Sequence, residues 1–83
     1  MHSALIAVET EKEQQFMVFM SVANKLKDTK GVARIADNVW QVNFQIAPAA
    51  LAALVLAADR QGLAYKILPF ADEPRWIQGN SAA

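Results

Sequence analysis

The sequence predicts one α+β domain, with two helices covering one face of a four-stranded antiparallel sheet. Three observations carry that expectation. Apolar residues recur at three- and four-residue spacing in two separate segments, the mark of helices with one buried stripe. Between them, residues 39–46 alternate apolar and polar at a spacing of two, the mark of a strand with one buried face. Two further short apolar runs, near the start and near residue 65, complete the order strand, helix, strand, strand, helix, strand.

Residues 3–8 (Ser-Ala-Leu-Ile-Ala-Val) have the length and composition of a strand. Thr10-Glu11-Lys12-Glu13 reads as a capping box, with the Thr10 hydroxyl and the Glu13 carboxylate each accepting the other's amide. Phe16, Phe19, Met20, Ala23 and Leu26 then form one helical stripe, widened by Val18 and Val22, and Gly31 is a natural stop. The spacing predicts a helix over about 10–29. Asp37-Asn38 suits a two-residue turn because both side-chain types tolerate positive φ. With that turn, Ala36 faces Val39, Ile35 faces Trp40, and Ala33 faces Val42, leaving Val32, Arg34, Ala36, Val39, Gln41 and Asn43 on the reverse side.

Pro48 suits the first turn of the second helix and Gly62 the position after its end. Leu51, Leu54, Val55 and Ala58 form its stripe, and the opposite side (Ala49, Ala52, Ala53, Leu56) is apolar where water-facing residues would normally be charged. A last strand is expected over 63–68, ended or edged by Pro69. Two crossovers around one hairpin give a ferredoxin-like βαββαβ sandwich. Its expected core is Trp40, Phe44, Phe16, Phe19, Leu51 and Leu54, with the other sheet face bare. The domain should span residues 1–78, with 79–83 a frayed tail and His2 near a frayed start.

Size and charge narrow the functional classes. A chain of 83 residues and 9.1 kDa has room for one thin core and conceals about 60% of its extended surface on folding. Hydrophobic content of 54% against 19% charged residues excludes a disordered chain. Eight basic and eight acidic residues cancel, so no overall field draws nucleic acid or anionic lipid. Without cysteine there is no disulfide framework, thiolate metal site or thiol nucleophile, and one histidine leaves no multi-histidine site. The apolar run over 46–58 is interrupted by Pro48 and is shorter than the roughly 20 residues of a membrane span. No secretory signal is read at the start, so a cytoplasmic location is expected.

Required residues test the chemistries this fold can carry. The paired cysteines of a metal carrier are absent, and the turn Val8-Glu9-Thr10 lacks the arginine and glycine of an anion cradle. An RNA-stacking platform needs aromatics on the open face, whereas Trp40 and Phe44 are expected to point inward. Lys25, Lys27, Lys30 and Arg34 form a local basic cluster; its first reading is complementation of a helix end, its second a phosphate contact. Glu9, Glu11 and Glu13 read first as charges favouring a helix start.

An acid at the end of the first strand (Glu9), the hairpin Asp37-Asn38-Val39-Trp40-Gln41-Val42, and a last strand followed by Trp76 together resemble a CRISPR-associated family. This is the endonuclease-like subunit of spacer acquisition, with its virulence-associated-D-like members. The pattern is scattered across roughly residues 3–77. It implies a ferredoxin-like homodimer with metal-dependent phosphodiesterase activity or a nucleic-acid scaffolding role. The family's metal position is usually aspartate, and Glu9 departs from it. Two Glu9 carboxylates across a dimer axis would offer oxygen ligands to Mg²⁺.

The leading expectation is a non-catalytic, homodimeric interaction module, open to a protein partner and using no cofactor. Its interface candidates are Val32, Val39, Ala52, Ala53, Leu56 and Trp76, and no catalytic residue is nominated. The alternatives are a metal-dependent nuclease or nucleic-acid scaffold using Glu9 and the basic cluster, and a small-ligand sensor.

Overall fold

A computed structural model describes residues 1–77 and residue 79. The expected frayed tail, apart from Gly79, lies outside the described residues. The elements are β1 (Ser3–Val8), α1 (Glu13–Ala23), a 3₁₀ turn (Asn24–Leu26), β2 (Val32–Ala36), β3 (Val39–Asn43), α2 (Pro48–Arg60) and β4 (Tyr65–Phe70). They form one sheet in the order β2-β3-β1-β4, with every neighbouring pair antiparallel. This is the ferredoxin-like α+β arrangement.

β1 is central, and its alternation separates the two sheet faces. Ala4, Ile6 and Val8 are buried and share a face with Trp40 and Val42 of β3. Ser3, Leu5 and Ala7 share the opposite face with Asn43, Gln41 and Val39, and with Phe70, Leu68 and Lys66 of β4. The helices cover the first face with Phe19, Ala23, Ala50, Leu54 and Ala58, joined by Leu63 from the turn after α2. Phe19 packs on Trp40 with ring centroids 5.3 Å apart, and Phe16 stacks on Phe19 at 5.9 Å. Full burial of a phenylalanine or leucine side chain contributes about 1.5–3 kcal/mol. Of the expected core, Trp40, Phe19 and Leu54 are buried, while Phe16, Phe44 and Leu51 are half-buried around its rim.

Several expectations are corrected. The capping box does not form: α1 starts at Glu13, after Lys12, with no side-chain cap. The cause lies in the preceding strand. Glu9 still pairs with Ala64 through its amide (2.9 Å), so the next three residues turn the chain from sheet to helix. α1 also ends early, at Ala23, and tightens into the 3₁₀ turn before Gly31 reverses the chain at φ +93°. A Cβ at Gly31 would stand 2.9 Å from Ile46, so backbone angle and space both require glycine there.

The Asp37-Asn38 turn forms, and Ala36 faces Val39, but a bulge then shifts the register by one residue. Arg34, not Ile35, stands opposite Trp40, and Val32, not Ala33, stands opposite Val42. Val32 and Arg34 therefore lie on the helix-covered side, and Ile35 is left exposed. The reason is amphipathic: Arg34 sets its guanidinium 5.7 Å from the Trp40 ring centroid while donating to the Asp37 carbonyl oxygen at 2.7 Å. An isoleucine there could cover the indole but could not serve that edge carbonyl.

β3 stops at Asn43 rather than at Ile46, because the Asn43 side-chain oxygen accepts the amides of Gln45 (2.8 Å) and Ile46 (3.3 Å). β4 is displaced two residues toward the C-terminus and contains Pro69 at a sheet edge, where no neighbour needs its missing N–H. His2 is anchored, not frayed: its N–H donates to Phe70 O (2.8 Å), and its carbonyl accepts from Phe44 N–H (2.9 Å).

The packing generates a stability prediction. Phe19→Ala removes the ring joining helix to sheet and should cost about 3–5 kcal/mol in urea unfolding. Ile35→Ala, at the exposed bulge, should cost under about 1 kcal/mol. Equal losses at the two positions would contradict the observed register.

Candidate functional site

Of the charged residues nominated from the sequence, Glu9 alone stands at the end of the sheet where β1 finishes, beside Lys12 and Asn38. Glu9 Oε2 accepts the Ala64 amide, while the Glu9 amide donates to the Ala64 carbonyl. Lys12 Nζ donates to Gly62 O at 2.9 Å. Asn38 Nδ2 donates to Val8 O at 2.9 Å, and Val8 N–H donates to Asn38 O at the same distance. These bonds tie three chain turns together: strand to α1, hairpin, and α2 to β4. A hollow of about 270 Å³ lies beside them, lined by Glu9, Asn38, Tyr65 and Lys66 among others.

Such a site holds structure more than it offers chemistry. One oxygen of Glu9 is engaged by a backbone amide, and among the described residues no group of three or more His, Cys, Asp or Glu side chains is placed to hold an ion. The acidity of Tyr65 is displaced. Loss of solvation, then the Asp59 charge and its hydrogen bond, hold the phenol above its ordinary 10.0. Protonated phenol is the form favoured on folding.

The basic cluster does not act as one unit. Lys25 and Lys27 sit in and just after the 3₁₀ turn, Lys30 follows them, and all three are exposed. Arg34 is engaged on its own hairpin by Trp40 and the Asp37 carbonyl.

The candidate interface residues divide between two faces. Val39 lies on the open sheet face, half-buried, paired with Ala7. Val32 is turned toward the core and half-buried against it. Ala52 and Leu56 are exposed on the outer side of α2, and Ala53 is half-buried. With Val18, Val22 and Ala57, Ala53 and Leu56 line a hollow of about 340 Å³ between the helices, to which Arg60 and Gln61 add polar groups. A second hollow of about 360 Å³, lined by Leu26, Ile46, Pro48 and Ala49 among others, meets the first at Ala53. The result is an apolar trough along the helical layer, with Val18 51% and Leu56 50% exposed.

Trp76 lies on the open sheet face, which is therefore not bare as expected. Its indole N–H donates to Gln41 Oε1 at 2.9 Å, and with Ile77 it lines a hollow against Arg34 and Ile35. The chain after Phe70 thus runs back over the sheet from β4 toward β2. Nothing in local spacing signals this contact, or that of Glu9 with Ala64. They join residues 35 and 55 positions apart.

No family model matches the sequence, and neither the curated proteins nor the solved structures contain a match to it. No helix among the described residues is long and apolar enough to cross a membrane.

Two outcomes are expected from this end of the sheet. Glu9→Ala, which hands the exposed Ala64 amide from the carboxylate to water, should lower stability by about 0.5–1.5 kcal/mol. Glu9→Gln keeps an acceptor oxygen and should lower it by less; chemical denaturation compares the two. The single tyrosine should ionise above pH 10.0 by phenolate absorbance, and Asp59→Asn should bring the midpoint down. Because the folded-state value is raised, this contribution to stability is present below pH 10 and is lost as pH climbs through the folded-state midpoint.

Proposed function

We propose that the protein is a small, non-catalytic association module whose first partner is a second copy of itself, docked through the helical layer. The observation that carries this reading is the apolar trough between α1 and α2. Residues 48–58 contain no charged side chain, so the outward side of α2 (Ala49, Ala52, Leu56) is as apolar as a buried stripe. The solvent side of a helix in an isolated domain is normally polar. Contiguous exposed apolar surface on a small protein marks an interaction site.

The small side chains matter as much as their hydrophobicity. Alanine at 49 and 53 in the trough, and at exposed position 52, lets another helix approach closely, with Val18 and Leu56 as larger groups beside Ala53. A two-fold arrangement sets this patch against its own copy and closes without leaving a second patch open. Metal-dependent phosphodiester chemistry at Glu9 receives no comparable support. Its carboxylate is held by the Ala64 amide, and among the described residues no cluster of further ligands joins it.

Sedimentation tests the reading. At high micromolar concentration the protein should move as a particle of twice 9.1 kDa. Leu56→Glu should return it to the single-chain mass while leaving its unfolding cooperative, because Leu56 is half exposed. A single-chain mass for the unaltered protein at that concentration would overturn the proposal.

A further inference from the structure

The open sheet face carries a feature that the association reading does not use. Ser3 lies on this face, paired with Asn43 and Phe70, yet it is 0% exposed and its hydroxyl has no hydrogen-bond partner. Both helices pack on the other face. The segment after Phe70 crosses this side and ends on Gln41, itself opposite Leu5 of β1. Its anchor is slight: Trp76 is 51% exposed, makes one side-chain hydrogen bond, and is followed by an almost fully exposed Ile77.

We infer that residues 71–77 form a detachable strap, latched by Trp76 on Gln41, that opens locally and bares the Ser3 end of the sheet while the helix-covered core stays folded. Two independent features favour opening. A buried hydroxyl without a partner regains water when the cover lifts. A half-exposed indole holding a single side-chain hydrogen bond places the segment at the low-stability end of the molecule. Closure is favoured by the Trp76–Gln41 hydrogen bond and by the part of the indole that is kept from water. The two states therefore share one core and differ in whether this sheet face is screened.

A chain without cysteine makes the test direct. Ser3→Cys places one thiol at the buried position of the open face, and Val42→Cys places one at an equally buried position under the helices. Each is treated with an excess of an aromatic disulfide reagent over a series of urea concentrations below the unfolding transition. With reclosing fast, the labelling rate follows the population of the open form. Ser3→Cys should label at least about tenfold faster than Val42→Cys, with a weak dependence on urea. Adding Trp76→Ala should speed Ser3→Cys labelling several-fold and leave Val42→Cys unchanged. Leu5→Cys, opposite Gln41, should respond to Trp76→Ala in the same way and serves if Ser3→Cys does not fold. Equal rates with equal urea dependence at the two faces would mean that the strap opens only with the whole domain, and would overturn the inference. So would a labelling rate on the open face that Trp76→Ala does not change.

Discussion

The fold depends on the Trp40 indole being closed in on the helix-covered face of the sheet. Phe19 sits 5.3 Å from it and ties α1 to β3. The Arg34 guanidinium lies 5.7 Å from the same ring. Aromatic burial on this scale is among the largest single contributions available to a domain with so thin a core. It also explains the bulge in β2. A residue at the sheet edge opposite Trp40 must cover an apolar ring and still reach water, and arginine does both where isoleucine does one.

At the far end of β1 the polar residues do a different kind of work. Glu9, Lys12 and Asn38 each satisfy backbone groups from distant turns, so three loops close against one another beside the buried Val8 and Leu63. Unmet backbone donors and acceptors are costly where water is excluded, and side chains that meet them become structural. This bears on function, because an acid at the end of the first strand could otherwise be read as a ligand. Here its geometry is that of a clamp on β4.

What remains for function is surface, and the two sheet sides differ. On the helical side, Val18, Ala53 and Leu56 frame a trough that no described segment of the chain fills. On the opposite side, Trp76 reaches back to Gln41 while Leu68 stays 57% exposed on the edge strand β4. An apolar excess in so small a body cannot all be hidden by one layer of helices. The sequence places that excess on α2, and the fold distributes the remainder between a trough and a strapped face.

Element order, the two helical stripes, the Asp37-Asn38 turn and the inward Trp40 were all legible in the sequence. Each depends on side-chain periodicity or on turn chemistry within a few residues. The capping box failed although its residues are present, because a strand pairing from residue 64 extended through Glu9 and displaced the helix start. The Ile35 register failed because alternation cannot detect a bulge whose stabilisation comes from packing Arg34 on Trp40 of the neighbouring strand. The role of Glu9 and the place of Trp76 were equally hidden, since their partners are 55 and 35 residues away. Local pattern thus determined which residues are apolar-faced and in what order. Only the tertiary structure decided which polar groups are spent on distant backbone and which face stays open, because those outcomes rest on contacts that no short stretch of chain contains.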